Sequence, residues 1–227
     1  PPIYTMLALG ELVVSPEERN IGTLLVDIGG QTTSLGIYIG GALHFTRELP
    51  LGSDHITADL AHGLGTTTVW AREVKEKYGA AYTHMVPKDK RLTIMKADRR
   101  TKAEIEQRDI LEYIQPRVEE IMEAAHEAVQ KSGYCDLPGG IVLAGGGALL
   151  KGMPEAAAEL LQLPQARLAT PVQELLDCPE EYLAQPYLGA VALVCYPYLK
   201  SWDDTLVSAR LELNPLRQAW QWIMEWF

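Results

Sequence analysis

Hydrophobic and polar positions change their period several times along this chain. Residues 1 to 14 carry apolar side chains at helical spacing, and Ser15-Pro16-Glu17-Glu18 ends that stretch. Thr23 to Val26 is a short apolar run of strand type, Thr33 to Tyr38 is a second, and Ala42 to Pro50 is a third, with Gly40-Gly41 as a hairpin turn. An antiparallel meander of three strands is the expectation. The period then lengthens. Ser53 or Asp54 caps a predicted helix through Ala61, and Thr66 to Thr68 starts another that runs to Tyr78. Two strands are predicted near Ala81 to Val86 and Arg91 to Lys96, joined by Pro87-Lys88-Asp89-Lys90, and Thr101 to Lys131 is the longest helical pattern. After Gly133, Pro138 and Gly139 comes the buried-strand run Gly140 to Ala144, followed by Gly145-Gly146-Gly147. A helix from Pro154 to Leu161, an edge strand from Ala166 to Ala169 and a helix from Tyr187 to Tyr196 complete the pattern. The order of strands, helices, strand and helices reads as an α/β layer structure with a subdomain inserted near residues 53 to 135.

Composition narrows this picture. With 227 residues, 47% hydrophobic and 22% charged, the chain has the make-up of a globular protein of one or two domains. No apolar run approaches the ~20 residues that cross a bilayer. The chain begins Pro1-Pro2-Ile3 with neither Met nor a leader pattern, which reads as a start inside a longer protein. Cys135, Cys178 and Cys195 form no C-x-x-C, which favours a reducing compartment over a zinc site or a disulfide frame. The net charge of −10 opposes nucleic-acid binding. Charge is uneven, however: Arg72 to Lys102 holds ten basic residues against four acidic ones. That stretch suits an acidic peptide or a phosphate, or is simply a solvated face.

Two glycine turns carry the candidate chemistry. Asp27-Ile28-Gly29-Gly30-Gln31-Thr32-Thr33 lies between two predicted strands. There, backbone amides can wrap phosphate oxygens and an acidic residue at the strand end can hold Mg²⁺ through water. An ordinary hairpin turn has the same glycines. Ile141 to Gly147 is a strand running into three glycines, which leaves room for a flat ring or a sugar beside the backbone. It is neither a P-loop, because Lys151 stands at the wrong offset, nor a G-x-G-x-x-G dinucleotide fingerprint. His55, Asp59 and His62 have metal-like helical spacing without an evident fourth ligand.

The order and separation of the Asp-x-Gly-Gly turn, the inserted segment Glu73 to Gly79 and the later Ala-Gly-Gly-Gly turn resemble the actin and Hsp70 ATPase superfamily. Four stretches resemble the bacterial cell-division family FtsA in particular: Leu25 to Gly30, Gly41 to Thr46, Ile114 to Arg117 and Gly140 to Gly146. The resemblance implies an actin-like (ribonuclease H-like) second lobe. Residues 1–52 and 136–210 would form its nucleotide-binding subdomain, 53–135 an inserted smaller α/β subdomain, and 211–227 an amphipathic tail. It implies ATP and Mg²⁺ as cofactors, held by Asp27 (to Mg²⁺ through water), Gly29, Gly30, Gln31, Thr32, Lys75, Glu76, Gly145, Gly146 and Gly147. No residue is assigned as catalytic, and the chain alone is expected to be inactive, because the family's first lobe and its self-association subdomain precede this region. Gln31 and Ser34 stand where the family has a glycine and an aspartate, and Gln31 must keep φ negative or strain the turn.

The same resemblance implies a partner and a place. In the FtsA family the inserted subdomain binds the C-terminal peptide of the tubulin homologue FtsZ. Arg99, Arg100, Arg108 and Arg117 are the candidates to pair its carboxylates. Self-association belongs to the full-length protein. A PilM-like pilus-assembly homologue and an Hsp70-type chaperone ATPase are alternatives with the same fold.

Three of the five tryptophans fall in the last eight residues. Wound as a helix from Asn214-Pro215, the tail confines Arg217, Gln218, Gln221 and Glu225 to an arc of about 100°. Leu216, Trp220, Trp222, Ile223, Trp226 and Phe227 lie on the wide apolar remainder. At ~20 Å such a helix lies in a membrane interface but does not span it. Docking on its own domain is the competing reading. The resemblance favours lipid, at the cytoplasmic face of the membrane at the division site. Trp220→Ala combined with Trp222→Ala is expected to lower liposome cosedimentation of the protein by about tenfold or more. Unchanged cosedimentation removes the anchor.

Overall fold

Apolar spacing at Met6, Leu9, Leu12 and Val13 winds helix α1 (Thr5–Val13), and these four side chains are buried. Ser15 then opens α2 (Pro16–Ile21) with a capping box: its Oγ accepts from the Glu18 amide at 3.1 Å, and its own amide donates to the Glu18 carboxylate at 2.8 Å. The meander follows as β1 (Thr23–Ile28), β2 (Thr33–Ile39) and β3 (Ala42–Leu49). Helices α3 (Ser53–Leu64) and α4 (Thr68–Tyr78), the hairpin β4 (Arg91–Met95) and β5 (Lys102–Glu106), and the long α5 (Gln107–Ser132) make up the insertion. The chain returns through β6 (Ile141–Ala144), α6 (Met153–Leu161), β7 (Ala166–Leu168) and α7 (Leu188–Lys200). The computed structural model describes residues 2–87, 90–98, 100–172 and 178–200. The predicted tail with Leu216, Trp220, Trp222, Ile223, Trp226 and Phe227 lies outside the described residues, as do Arg99, Lys88 and Asp89.

The main sheet has the order β3-β2-β1-β6-β7; β1 pairs antiparallel with β2, and β6 is parallel to both β1 and β7. The period of two sends Leu24, Val26 and Ile28 to one face and Leu25 to the other. The first face packs on α3, α4, α5 and α6, and the second on α1 and α7. Burial on both faces explains why β1 and β6 are near-continuous apolar runs.

Two predicted elements are corrected. Ala81 to Val86 is not a strand. It carries a 3₁₀ turn at Thr83–Met85, because its backbone is engaged elsewhere: Ala80 bridges to Lys151, and the Ala81 amide donates to the Lys151 carbonyl at 2.8 Å. The partner of β4 is instead β5, taken from the front of the predicted helix Thr101 to Lys131. Along β5, half-buried Ala103 and Ile105 alternate with exposed Lys102, Glu104 and Glu106, a strand period that the helical pattern beyond Gln107 masks in the sequence.

α1 sits close against the sheet at Gly10. A methyl group there would collide with the ring and hydroxyl of Tyr38, which is fully buried and donates to the Met6 carbonyl at 2.7 Å. Alanine is the better helix former by about 1 kcal/mol, yet overpacking costs about 1–3 kcal/mol. Gly10→Ala is therefore expected to lower the Tm by up to roughly 8 °C. A raised Tm in a thermal melt contradicts this packing.

Candidate functional site

Parallel pairing sets Asp27 of β1 beside Ala144 of β6, so the turns that follow the two strands leave the sheet from the same end. In open α/β sheets that crevice, beyond the carboxyl ends of the strands, is where ligands bind. Gly145 has φ +85°, and a side chain at Gly145 would collide with Asp27 Oδ1 and the Ile28 carbonyl. One at Gly147 would strike Ile28 Cγ2. The second turn can press on the first only without side chains. Gly146 is different: a methyl there has nothing nearer than Pro186 Cγ at 3.8 Å, so its face is open.

The first turn is held from below. The Gly29 amide donates to the Thr32 carbonyl at 2.9 Å, and the Gly29 and Gly30 carbonyls accept from the Ser53 and Asp54 amides at 2.9 and 2.8 Å. Gly52 allows this approach, because a methyl there would stand 2.5 Å from the Gly30 carbonyl oxygen. Neither Gly29, Gly30 nor Gln31 has a left-handed φ. The glycines here supply room, and Gln31 fits its turn without the strain that its side chain threatened.

A cavity of about 700 Å³ opens over the two turns. Of the predicted site residues, Asp27, Gly29, Gly30, Lys75, Glu76, Gly145, Gly146 and Gly147 line it together. Gln31 and Thr32 stand outside the lining: Thr32 closes the turn, and Gln31 Nε2 donates to Asp54 Oδ2 at 3.0 Å. The sequence reading missed Ser53, Asp54, Arg72 and Gln185 as lining residues. Arg72 was findable, since positions 72, 75 and 76 share a helix face at i, i+3 and i+4. Gln185 carries no sequence signal. It is 8% exposed, and its Nε2 donates to the Ala169 carbonyl at 2.5 Å.

Burial shapes the charges of the cavity. Lys75 is 7% exposed and donates from Nζ to the Ser53 carbonyl at 2.9 Å. Burial, with Arg72 adding to it, holds its ammonium below the ordinary lysine value, and Asp54 and Glu76 oppose the shift. Half-buried Asp27 has its carboxyl raised above the ordinary 3.8 by burial. A cation supplied by a ligand would relieve that cost. A cavity of this size, an open glycine face for a flat ring, a buried ammonium and a carboxyl that burial disfavours as an anion form a donor set that fits a nucleotide with Mg²⁺.

The arginines fall elsewhere and apart. Arg117 Nε and Nη2 clamp the Asp59 carboxylate at 2.7 and 3.2 Å, and Nη1 pairs with Glu120. It borders a groove of about 290 Å³ between α3 and α5 with Asp59, His62, Tyr113 and Pro116. Arg108 lies nine residues earlier on α5, which places it on the opposite face of the helix. Arg100 is exposed in the β4–β5 connection. The histidine triple has other work: Asp59 serves Arg117, and His55 Nδ1 accepts from the Gly52 amide at 3.0 Å. Among the described residues no group of three or more metal-ligating side chains gathers.

A sequence model of the family described as "Cell division protein FtsA" matches residues 24–191. The chain is similar to the FtsA proteins of Bacillus subtilis (38% identical, covering 73% of this chain and 37% of that protein) and Pseudomonas aeruginosa (32%, covering 91% and 49%). The Escherichia coli K12 protein is 30% identical, with 86% of this chain and 48% of that protein covered. The chain thus spans half or less of the length of these relatives. Among solved structures, MreB5 of Spiroplasma citri bound to AMPPNP superposes with TM-score 0.60 at 20% identity, covering 89% of this chain and 60% of that one. The MamK double helical filament gives 0.58 at 18%, covering 83% and 57%. A PilM–PilN pilus biogenesis complex gives 0.58 at 20%, covering 78% and 46%. These likenesses establish an actin-like α/β fold.

The raised carboxyl of Asp27 has a definite sign. Below the ordinary carboxylate value it is protonated in both folded and unfolded chains and costs nothing. As pH rises through the interval up to its raised folded value, stability is lost, and above it the full cost remains. Asp27→Asn is therefore expected to raise the ligand-free Tm at pH 7. The gain shrinks toward zero below about pH 4 in paired thermal melts.

Proposed function

The chain belongs to the FtsA family of cell division proteins, and on that premise we propose that it is part of an ATP-binding, actin-like adaptor that tethers FtsZ filaments to the cytoplasmic membrane and helps recruit the divisome. The observation that carries the ATP reading is the cavity, where eight predicted residues from two glycine turns and α4 meet. Asp27 would hold Mg²⁺ through water. Amides of the first turn other than that of Gly29, which donates to Thr32, would face phosphate oxygens, the open face of Gly146 would take the adenine or ribose, and Lys75 and Glu76 would close a further wall. ATP would supply an anionic chain and a flat base that bridge these walls. Its role in this reading is that of an assembly ligand more than a fuel. MreB5 bound to AMPPNP, a relative in fold, supports nucleotide as the ligand class.

The insertion is the proposed FtsZ-binding subdomain, spanning 53–135 within a nucleotide-binding subdomain of 1–52 and 136–210, and 211–227 is the proposed membrane-targeting tail. Self-association of the complete protein would add avidity to a tail that is weak by itself. The net basic stretch supports an acidic peptide as partner, whereas the groove beside Arg117 is itself lined by Asp59, Glu112 and Glu120. Because Arg117 already holds Asp59 and Glu120, a peptide carboxylate must exchange with one of them.

Titration with the FtsZ C-terminal peptide tests the adaptor reading. Saturable binding is expected, weakened about tenfold or more by Arg117→Glu. A thermal melt checks the fold, since the same change sets two carboxylates against each other at Asp59. No binding to the unaltered protein removes the adaptor reading and leaves the ATP reading standing.

A further inference from the structure

Asp54 joins three elements at the wall of the cavity. Its amide, in the first turn of α3, donates to the Gly30 carbonyl at 2.8 Å, and its carboxylate lies over Gly30, where a methyl would stand 2.8 Å from Oδ2. Oδ2 accepts from Gln31 Nε2 at 3.0 Å, and Oδ1 accepts from Arg72 Nη2 of α4 at 2.9 Å. One turn further along α4, Lys75 Nζ reaches the neighbouring Ser53 carbonyl at 2.9 Å. Four side chains, those of Gln31, Asp54, Arg72 and Lys75, and the Gly30 and Ser53 carbonyls therefore bind the glycine turn, α3 and α4 into one corner. Gln31 is the donor that completes it.

We propose that Asp54 is a positioning residue for the ligand of this cavity, tying the first glycine turn through Gln31 to Arg72 on α4, beside the Lys75 bond to Ser53, so that both walls grip a phosphate-bearing ligand as one unit. This rests on reading the cavity as a nucleotide site. The side chain of Arg72 is 53% exposed, and unpaired it would sample many rotamers. Paired, it is held at the cavity wall before the ligand arrives, so less freedom is lost on binding. Gln31 holds the other carboxylate oxygen and so fixes the orientation of Asp54 toward Arg72. The negative charge of Asp54 also counters the burial that disfavours the Lys75 ammonium. A ligand without phosphates does not engage the turn and gains nothing from this junction.

A double-mutant cycle with Gln31→Ala and Asp54→Asn, read by titration with Mg-ATP and separately with adenosine, tests the proposal. Each single change is expected to weaken ATP about 5–10-fold, and the pair no more than the worse single change, because both break the same junction. Adenosine affinity is expected to change by less than about twofold. Losses that multiply in the double variant overturn the junction, and an equal loss for adenosine reduces Asp54 to a structural role. If Asp54→Asn does not fold in a thermal melt, Arg72→Gln paired with Gln31→Ala reads the same coupling with α3 intact. ATP binding by the unaltered protein with multiplying losses removes this inference alone. No ATP binding by the unaltered protein removes the nucleotide reading, and the inference with it.

Discussion

Everything at the cavity depends on one close approach, the seating of Gly145 against Asp27 and Ile28. β1 and β6 are parallel neighbours with Asp27 opposite Ala144, so their following turns must share one end of the sheet. A side chain at Gly145 or Gly147 would collide with the first turn and push the second away. Gly52 does the same for α3, whose first amides bond the carbonyls of Gly29 and Gly30. Three backbones thus meet where any Cβ would hold them apart, and the volume above them becomes the cavity.

The opposite wall is held by the fastening of the insertion. Lys151, which follows the second turn, donates from Nζ to the Met85 carbonyl at 2.9 Å, and its own carbonyl accepts from Ala81. Met85 in turn packs against Gly152, where no side chain fits. These contacts anchor the chain just beyond α4 to the segment just beyond β6. Arg117 and Asp59 lock α5 to α3 on the far side. The insertion shares its core with one face of the main sheet, so α4 presents Arg72, Lys75 and Glu76 to the cavity from a packed support.

Charge follows the same division. Lys75 and Asp27 are both disfavoured as ions by burial, one cationic and one anionic, and both line a single cavity. Perturbed groups gathered in a cleft mark a candidate ligand site. The proposed nucleotide answers both: its phosphates suit the ammonium, and the accompanying Mg²⁺ suits the carboxylate.

The sequence by itself determined the strands of the meander, the buried run at Ile141 to Ala144 and the two glycine turns, because apolar alternation and glycine spacing are local properties of the chain. It also supplied eight of the seventeen residues that line the cavity, through the order of its motifs. It did not determine the segment from Ala81 to Val86, whose backbone partners lie near Lys151, about seventy residues away, nor the strand Lys102–Glu106, whose short period merges with the helix that follows. Gln31 shows the limit most clearly. As a letter it is a missing glycine with a threatened turn; in the fold its φ is unstrained and its amide meets Asp54, twenty-three residues on. Local pattern chooses elements, but only the packed structure decides which distant polar groups meet, because hydrogen bonds are satisfied by position in space and not by spacing along the chain.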